Sequence, residues 1–423
     1  MPHETVLIST IAVSLAYALV GGLAAHRLGL PPLVGYLLAG IAVGPFTPGF
    51  VADAKLAGEL AEIGVILLMF GVGMHFSLRD LAAVRYIALP GAVVQIVVAT
   101  ALGIVVARHW GWTFGAGLVL GLALSVASTV VLLRALEAQG TLSSAHGRLA
   151  VGWLIVEDLV MVLTLVLLPA FPGALSGASS DHTASTVQPL LMTLGLTLGK
   201  VAVFVILVLL IGVRLFPWLL EYVARTGSRE LFTLAVIAVA LGIAFSAYEL
   251  FGVSFALGAF CAGMVVNESD HSHRAAGDLQ SLQDAFTVLF FVAVGMLFDP
   301  AILVRQPLPV LTVVAIIVLG KSLVAFLIVW AFRYPLSAAL TVAAGLAQIG
   351  EFSFILAGLG TTLNLLPLEG HNLILAGALL SITLNPLCFR VARAIQERQR
   401  MSARSGISDH HNDESLSISQ GEC

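Results

Sequence analysis

Apolar residues run along this chain in blocks of about 20, separated by short polar breaks that hold Pro, Gly and charge. A helix of about 20 apolar residues crosses roughly 30 Å of hydrocarbon, so each block predicts a membrane-spanning helix. Thirteen spans follow, approximately 5–25, 31–45, 56–76, 85–107, 113–137, 146–171, 187–216, 228–249, 252–267, 282–298, 307–332, 335–361 and 371–395. The expected class is an all-α polytopic membrane protein. Glu4 precedes the first span with no Lys or Arg, and the span is too long for a signal peptide's apolar core, so it reads as a retained helix.

Composition narrows the class. Of 423 residues 59% are apolar and only 10% charged, against roughly 25% charged in a soluble domain. A soluble fold is excluded. The net charge of −4 carries no sign of nucleic acid, and Cys261, Cys388 and Cys423 draw neither a disulfide framework nor a CxxC metal site. With the N-terminus outside, fifteen Lys and Arg fall in inner loops or the tail and three (Lys55, Arg108, Arg305) in outer ones. Inner loops keep the excess of basic residues, so the C-terminus is expected to be cytoplasmic.

The spans repeat. Leu33-Val34-Gly35 and Ala39-Gly40-Ile41 in the second match Ala256-Leu257-Gly258 and Ala262-Gly263-Met264 in the ninth, at an offset of 223. Gly71-Val72-Gly73-Met74-His75-Phe76 matches Ala293-Val294-Gly295-Met296-Leu297-Phe298 at an offset of 222. Span n therefore corresponds to span n+7. Seven is odd, so matched helices cross in opposite directions, which is an inverted repeat of the kind that places a transport site at the bilayer midplane. The expected domains are a first repeat over 1–171, a linker loop and seventh helix over 172–227, a second repeat over 228–395 and a disordered tail over 396–423.

Ionisable residues in mid-span are costly unless paired or hydrated, which makes each a functional candidate. Glu157 and Asp158 lie adjacent about twelve residues into the sixth span. Two such carboxyls repel each other in hydrocarbon, so at least one can hold a proton or, deprotonated, a cation. A static ion pair with a neighbouring helix is the structural competitor. Lys321, mid-way along the eleventh span, can neutralise a carboxylate when no cation is bound, or serve as a structural salt bridge. Ser125, Ser128 and Thr129 in the fifth span, and Gln348, Gly350, Glu351 and Ser353 in the twelfth, coincide under the repeat. Small polar residues at that depth suit helices that unwind, free backbone carbonyls for a cation and expose half-helix dipoles. Glu351 would face the half-helix N-termini, and hydroxyl back-bonding within intact helices is the competing reading.

Weaker features have plainer readings. Lys200 snorkels or pairs on the linker helix, Gln95 is an interhelical hydrogen bonder, and Glu59 and Glu62 line an outer funnel or simply favour a helix N-terminus. His271 and His273 beside Asp270 read as a solvated loop, and Gly115-Ala116-Gly117 with Gly121 as helix packing.

The Ser-Thr cluster of 125–129, the acid pair 157–158, Lys321, the Gly350-Glu351-Phe352 break and the run Pro31-Pro32-Leu33-Val34-Gly35-Tyr36-Leu37-Leu38-Ala39-Gly40 together resemble the monovalent cation:proton antiporter-2 family. The likeness covers roughly residues 5–395 and is nearest the glutathione-gated potassium efflux branch and its cation/proton antiporter subgroup. It implies a thirteen-helix homodimer of sodium/proton antiporter-like fold, in a bacterial inner membrane, whose core of two crossed, broken helices moves against a dimerisation domain. It makes Asp158 the transport aspartate and Lys321 its partner lysine, with Ser128, Thr129 and Glu351 at the crossing. Two departures stand. Glu157 replaces the Asp, Asn or Gln usual before the aspartate, and no nucleotide-binding regulatory domain is visible in this chain.

The function expected is exchange of a monovalent cation, K⁺ first and Na⁺ second, for H⁺, with no cofactor and no resident metal. A gated cation channel on the same scaffold is the alternative, though no filter-like segment is visible. An intramembrane enzyme is not expected, because HExxH, GxSxG and paired-aspartate protease patterns are missing from the sequence.

Overall fold

The computed structural model describes residues 3–48, 51–75, 78–142, 144–170 and 187–419. Phe76 and the Phe171–Thr186 connection lie outside them. The elements are α1 (His3–Arg27), α2 (Pro32–Val43), α3 (Ala54–His75), α4 (Leu78–His109), α5 (Phe114–Ser125), α6 (Thr129–Ala138), α7 (Ala145–Leu167), α8 (Val187–Leu207), α9 (Val213–Ala224), α10 (Arg229–Phe251), α11 (Phe255–Asn267), α12 (Ser272–Met296), α13 (Ile302–Arg305), α14 (Pro307–Ala315), α15 (Ser322–Ala331), α16 (Leu336–Gly345), α17 (Glu351–Thr362) and α18 (Leu368–Ser419). Wide π turns join α8 to α9 and α14 to α15. Local chemistry sets several starts: Thr113, Ser144, Ser228 and Ser254 each accept a backbone N–H from the first turn of the helix they precede.

Among the described residues ten helices are long and apolar enough to cross a membrane. Large apolar side chains such as Val304, Leu319 and Leu196 point outward rather than into a core, as hydrocarbon surroundings require. The chain is an integral membrane protein. Length and composition give ten crossing helices where the hydrophobic pattern predicted thirteen, because the apolar helices α2, α11 and α16 are only 12, 13 and 10 residues long. The helical backbone of α18 continues to Ser419, through residues expected to be disordered.

Packing falls into two groups. The first joins α1, α2, α3, α10, α11 and α12, and the second joins α4, α5, α7, α15, α16, α17 and α18. Glycines allow the closest approaches within each. A β-carbon on Gly40 would collide with the backbone of α12 at Val292, and one on Gly263 with the backbone of α3 at Phe70. Gly295 packs against Gly40 and Gly73 against Gly263. These are the glycines matched by the sequence repeat, and they form two equivalent crossings, α2 on α12 and α11 on α3. In the second group Gly121 lies on Thr100 and Gly117 on Ile104, so the glycine run of α5 packs against α4.

Gly263→Ala is therefore expected to destabilise the protein by about 1–3 kcal/mol through overpacking, read as a lowered Tm in detergent. Gly242→Ala, where the added carbon meets nothing within 4 Å, should leave Tm unchanged or raised.

Candidate functional site

An interrupted helix releases backbone donors and acceptors that, inside a membrane, must find partners in the protein. After α5 ends at Ser125, Val126 (φ −99°, ψ 135°) and Ser128 (φ −79°, ψ 124°) are extended, and α6 restarts at Thr129. The second interruption covers 346–350, between α16 and α17, with Gly350 extended at φ −130°. The two breaks cross in contact. A β-carbon on Gly350 would lie 2.5 Å from Ser128 Cα, so only glycine permits this approach.

Side chains then meet the released groups one by one. The Gln348 amide clasps the Ser128 backbone: its Oε1 accepts the Ser128 N–H (3.0 Å) and its Nε2 donates to Ser128 O (3.1 Å). Gln95 Nε2 donates to Ser125 O (2.7 Å), and its Oε1 accepts from Trp153 Nε1 (3.0 Å). Ser353 Oγ donates to Ala123 O (2.6 Å), and Asn385 Nδ2 to Ala344 O (2.8 Å). Lys321 Nζ donates to Gln348 O (2.9 Å). Unwinding was expected to free carbonyls for a cation; those of Ser125, Ser128 and Gln348 are taken by protein donors.

What remains open is carboxyl oxygen. α7 brings Glu157 and Asp158 to the first break, where Glu157 Oε2 accepts the Ala127 N–H (2.8 Å) and Asp158 Oδ2 accepts from Thr129 Oγ1 (3.1 Å). Glu351 opens α17, with the Ser128 hydroxyl beside its carboxyl. Glu157 Oε1, Asp158 Oδ1 and Glu351 Oε2 are each buried without a hydrogen-bond partner. Asp158 feels the charges of both other acids. Among the described residues the buried Asp, Glu, Lys and Arg are Glu157, Asp158, Glu351 and Lys321. All four gather at this crossing. Fully ionised they sum to −2, an imbalance that H⁺ or a cation can relieve.

Two sequence readings change in detail. Lys321, carried inward at the end of the π turn Ile316–Lys321, makes no ion pair with Asp158 among the described residues. Its charge acts on Glu157. Ser125 Oγ bonds back to Leu122 O (2.7 Å) within its own helix, so its backbone, not its hydroxyl, joins the network. Trp153 and Asn385 had gone unmarked, although an indole N–H one turn before Glu157 and an amide before Pro386 each need a partner in hydrocarbon. Lys200 is exposed, away from the crossing, while Glu62 lines a cavity of about 530 Å³ between α3, α11, α12 and α17. No group of three His, Cys, Asp or Glu is placed to hold a metal ion among the described residues.

A family profile described as "Sodium/hydrogen exchanger, transmembrane" matches residues 13–391. The chain belongs to that family. An Escherichia coli (strain K12) protein named "Putative cation/proton antiporter YbaL" is 61% identical over 389 residues, 92% of this chain and 69% of that protein. The "K(+) efflux antiporter 4" of Arabidopsis thaliana is 31% identical over 391 residues, covering 92% of this chain and 64% of its own. The chain thus spans about two thirds of the length of these two relatives. The fold is similar to that of the sodium proton antiporter MjNhaP1 from Methanocaldococcus jannaschii at pH 8, with a TM-score of 0.69 at 18% identity over 92% of this chain and 98% of that one. The antiporter-2 kinship read from the motifs stands, and these relatives of the exchanger-family chain are transporters rather than enzymes.

Replacing Gln348 by Leu would orphan both backbone groups of Ser128, its N–H and its carbonyl. The expected loss is about 2–4 kcal/mol, measured by thermal unfolding, with helix content otherwise unchanged.

Proposed function

We propose that the chain is a secondary active transporter that exchanges a monovalent cation for H⁺ by alternating access. The observation that carries this reading is the set of three buried carboxyls at the crossing, each with an unpartnered oxygen, against a single buried ammonium. H⁺ and the cation compete for Asp158, whose Oδ1 is open. Glu157 is held by the Ala127 N–H and balanced by Lys321, so it sets the local charge and shares the proton load. Glu351 offers negative charge at the start of α17, where the helix dipole favours it. Ser128, Thr129 and Gln348 hold the two breaks against each other.

The division of the helices into two packed groups supports movement of the crossed pair against α1–α3 and α10–α12. The glycine crossings related by the repeat support an inverted repeat spanning 1–171 and 228–395, in which α2, α11 and α16 with α17 complete thirteen crossings. K⁺ is the first candidate, favoured by the name of the Arabidopsis relative, and Na⁺ the second, favoured by that of the structural one. A homodimer in a bacterial inner membrane, N-terminus outside and C-terminus cytoplasmic, completes the reading.

Purified chain in proteoliposomes tests it through the dequenching of a pH dye on addition of K⁺, Na⁺ or Li⁺. Asp158→Asn should fall to the level of empty vesicles while still folding and inserting, and wild-type rates in that variant would refute the site. Glu157→Gln keeps an acceptor for the Ala127 N–H and removes only charge, so it should retain exchange with an altered pH profile. Lys321→Ala should lower both activity and Tm, because Gln348 O and Glu157 lose the same partner.

A further inference from the structure

A second cavity, also about 530 Å³, opens where the turn between α1 and α2 meets α6 and α18. Three arginines line it, Arg134 from α6 and Arg390 and Arg393 from α18, together with His26, and no Asp or Glu does. In the thirteen-crossing reading proposed above, this cavity lies at the same end of the bundle as Arg225, Arg229 and Arg274. Basic residues gather at one end of any membrane protein, so number alone decides nothing. Pairing does. Arg225 lies 3.0 Å from Glu221, Arg229 2.9 Å from Asp278 and Arg274 3.8 Å from Asp278. Arg134, Arg390 and Arg393 make no ion pair among the described residues.

Three guanidiniums around one cavity repel each other and any passing cation, and they are stabilised by an anion that takes several N–H groups at once. Phosphate oxygens match that fork geometry. The rest of the wall is apolar, including Leu30, Leu33 and Phe389, which suits a charged head joined to hydrocarbon. We infer that this cavity, framed by Arg134, Arg390 and Arg393, is a binding site for a phosphate-bearing anion, either an anionic phospholipid headgroup or a free phosphate compound. Such an anion bridges α6 to α18 and the α1–α2 turn.

The test is thermal unfolding of the full chain in nanodiscs of phosphatidylcholine, in nanodiscs containing phosphatidylglycerol at several fractions, and in phosphatidylcholine nanodiscs titrated with inorganic phosphate at fixed ionic strength. A saturable rise in Tm is expected with one probe. Phosphatidylglycerol acting alone identifies the lipid, and phosphate acting in phosphatidylcholine identifies the free compound. The double variant Arg390→Gln, Arg393→Gln should weaken the apparent affinity by roughly tenfold or more, whereas Arg225→Gln, which removes an arginine that already has a partner, should not. If the double variant does not fold, Arg134→Gln alone takes its place against the same control. A Tm indifferent to both probes, or an equal response in the cavity variants and Arg225→Gln, overturns the site.

Discussion

Every feature of the site follows from one constraint: a helix broken inside hydrocarbon must have its released backbone groups satisfied by the protein. Two such breaks meet at Ser128 and Gly350, and each would be costly alone. Together they solve each other's problem, because Gln348 from one break pairs with both backbone groups of Ser128 in the other. Lys321, Gln95, Ser353 and Asn385 donate to the carbonyls of Gln348, Ser125, Ala123 and Ala344. This explains why polar residues crowd a region that is otherwise apolar, and why their removal is expected to cost stability as well as transport.

The same network decides which atoms stay reactive. The carbonyls of Ser125, Ser128 and Gln348 are occupied, and the Ala127 N–H takes one oxygen of Glu157. One oxygen on each of three buried acids is left over. Fully ionised, three carboxylates facing one ammonium leave a charge of −2, which H⁺ or a small cation can relieve. In the mechanism proposed above, the two compete for the open oxygen of Asp158, and that competition is what would couple their movements.

Much of this was legible in the sequence. The apolar blocks had to be helices, and Glu157, Asp158, Lys321 and Glu351 stood out because charge in a span is rare. The positions of the breaks were readable from Ser128 and Gly350 under the repeat. Partners were not. Gln95 and Ser125 are 30 residues apart, and Trp153 and Gln95 are 58 apart, so only the folded chain shows that they meet. Charge attraction alone gave Lys321 a choice of acids, and the π turn that aims it, together with the carbonyl of Gln348, settled its place. Three short apolar helices blurred the count, since 10 to 13 residues in a helix do not span a bilayer on their own.

Mutual exclusion of H⁺ and cation is the claim on which the account stands, and calorimetry of the purified chain tests it without vesicles or gradients. Titrating K⁺ or Na⁺ into protein in buffers of differing ionisation enthalpy gives the number of protons released per cation bound. At a pH where the carboxyl site is protonated, about one proton should be released per cation bound, with no such release in Asp158→Asn. Cation binding that releases no protons at any pH would contradict it.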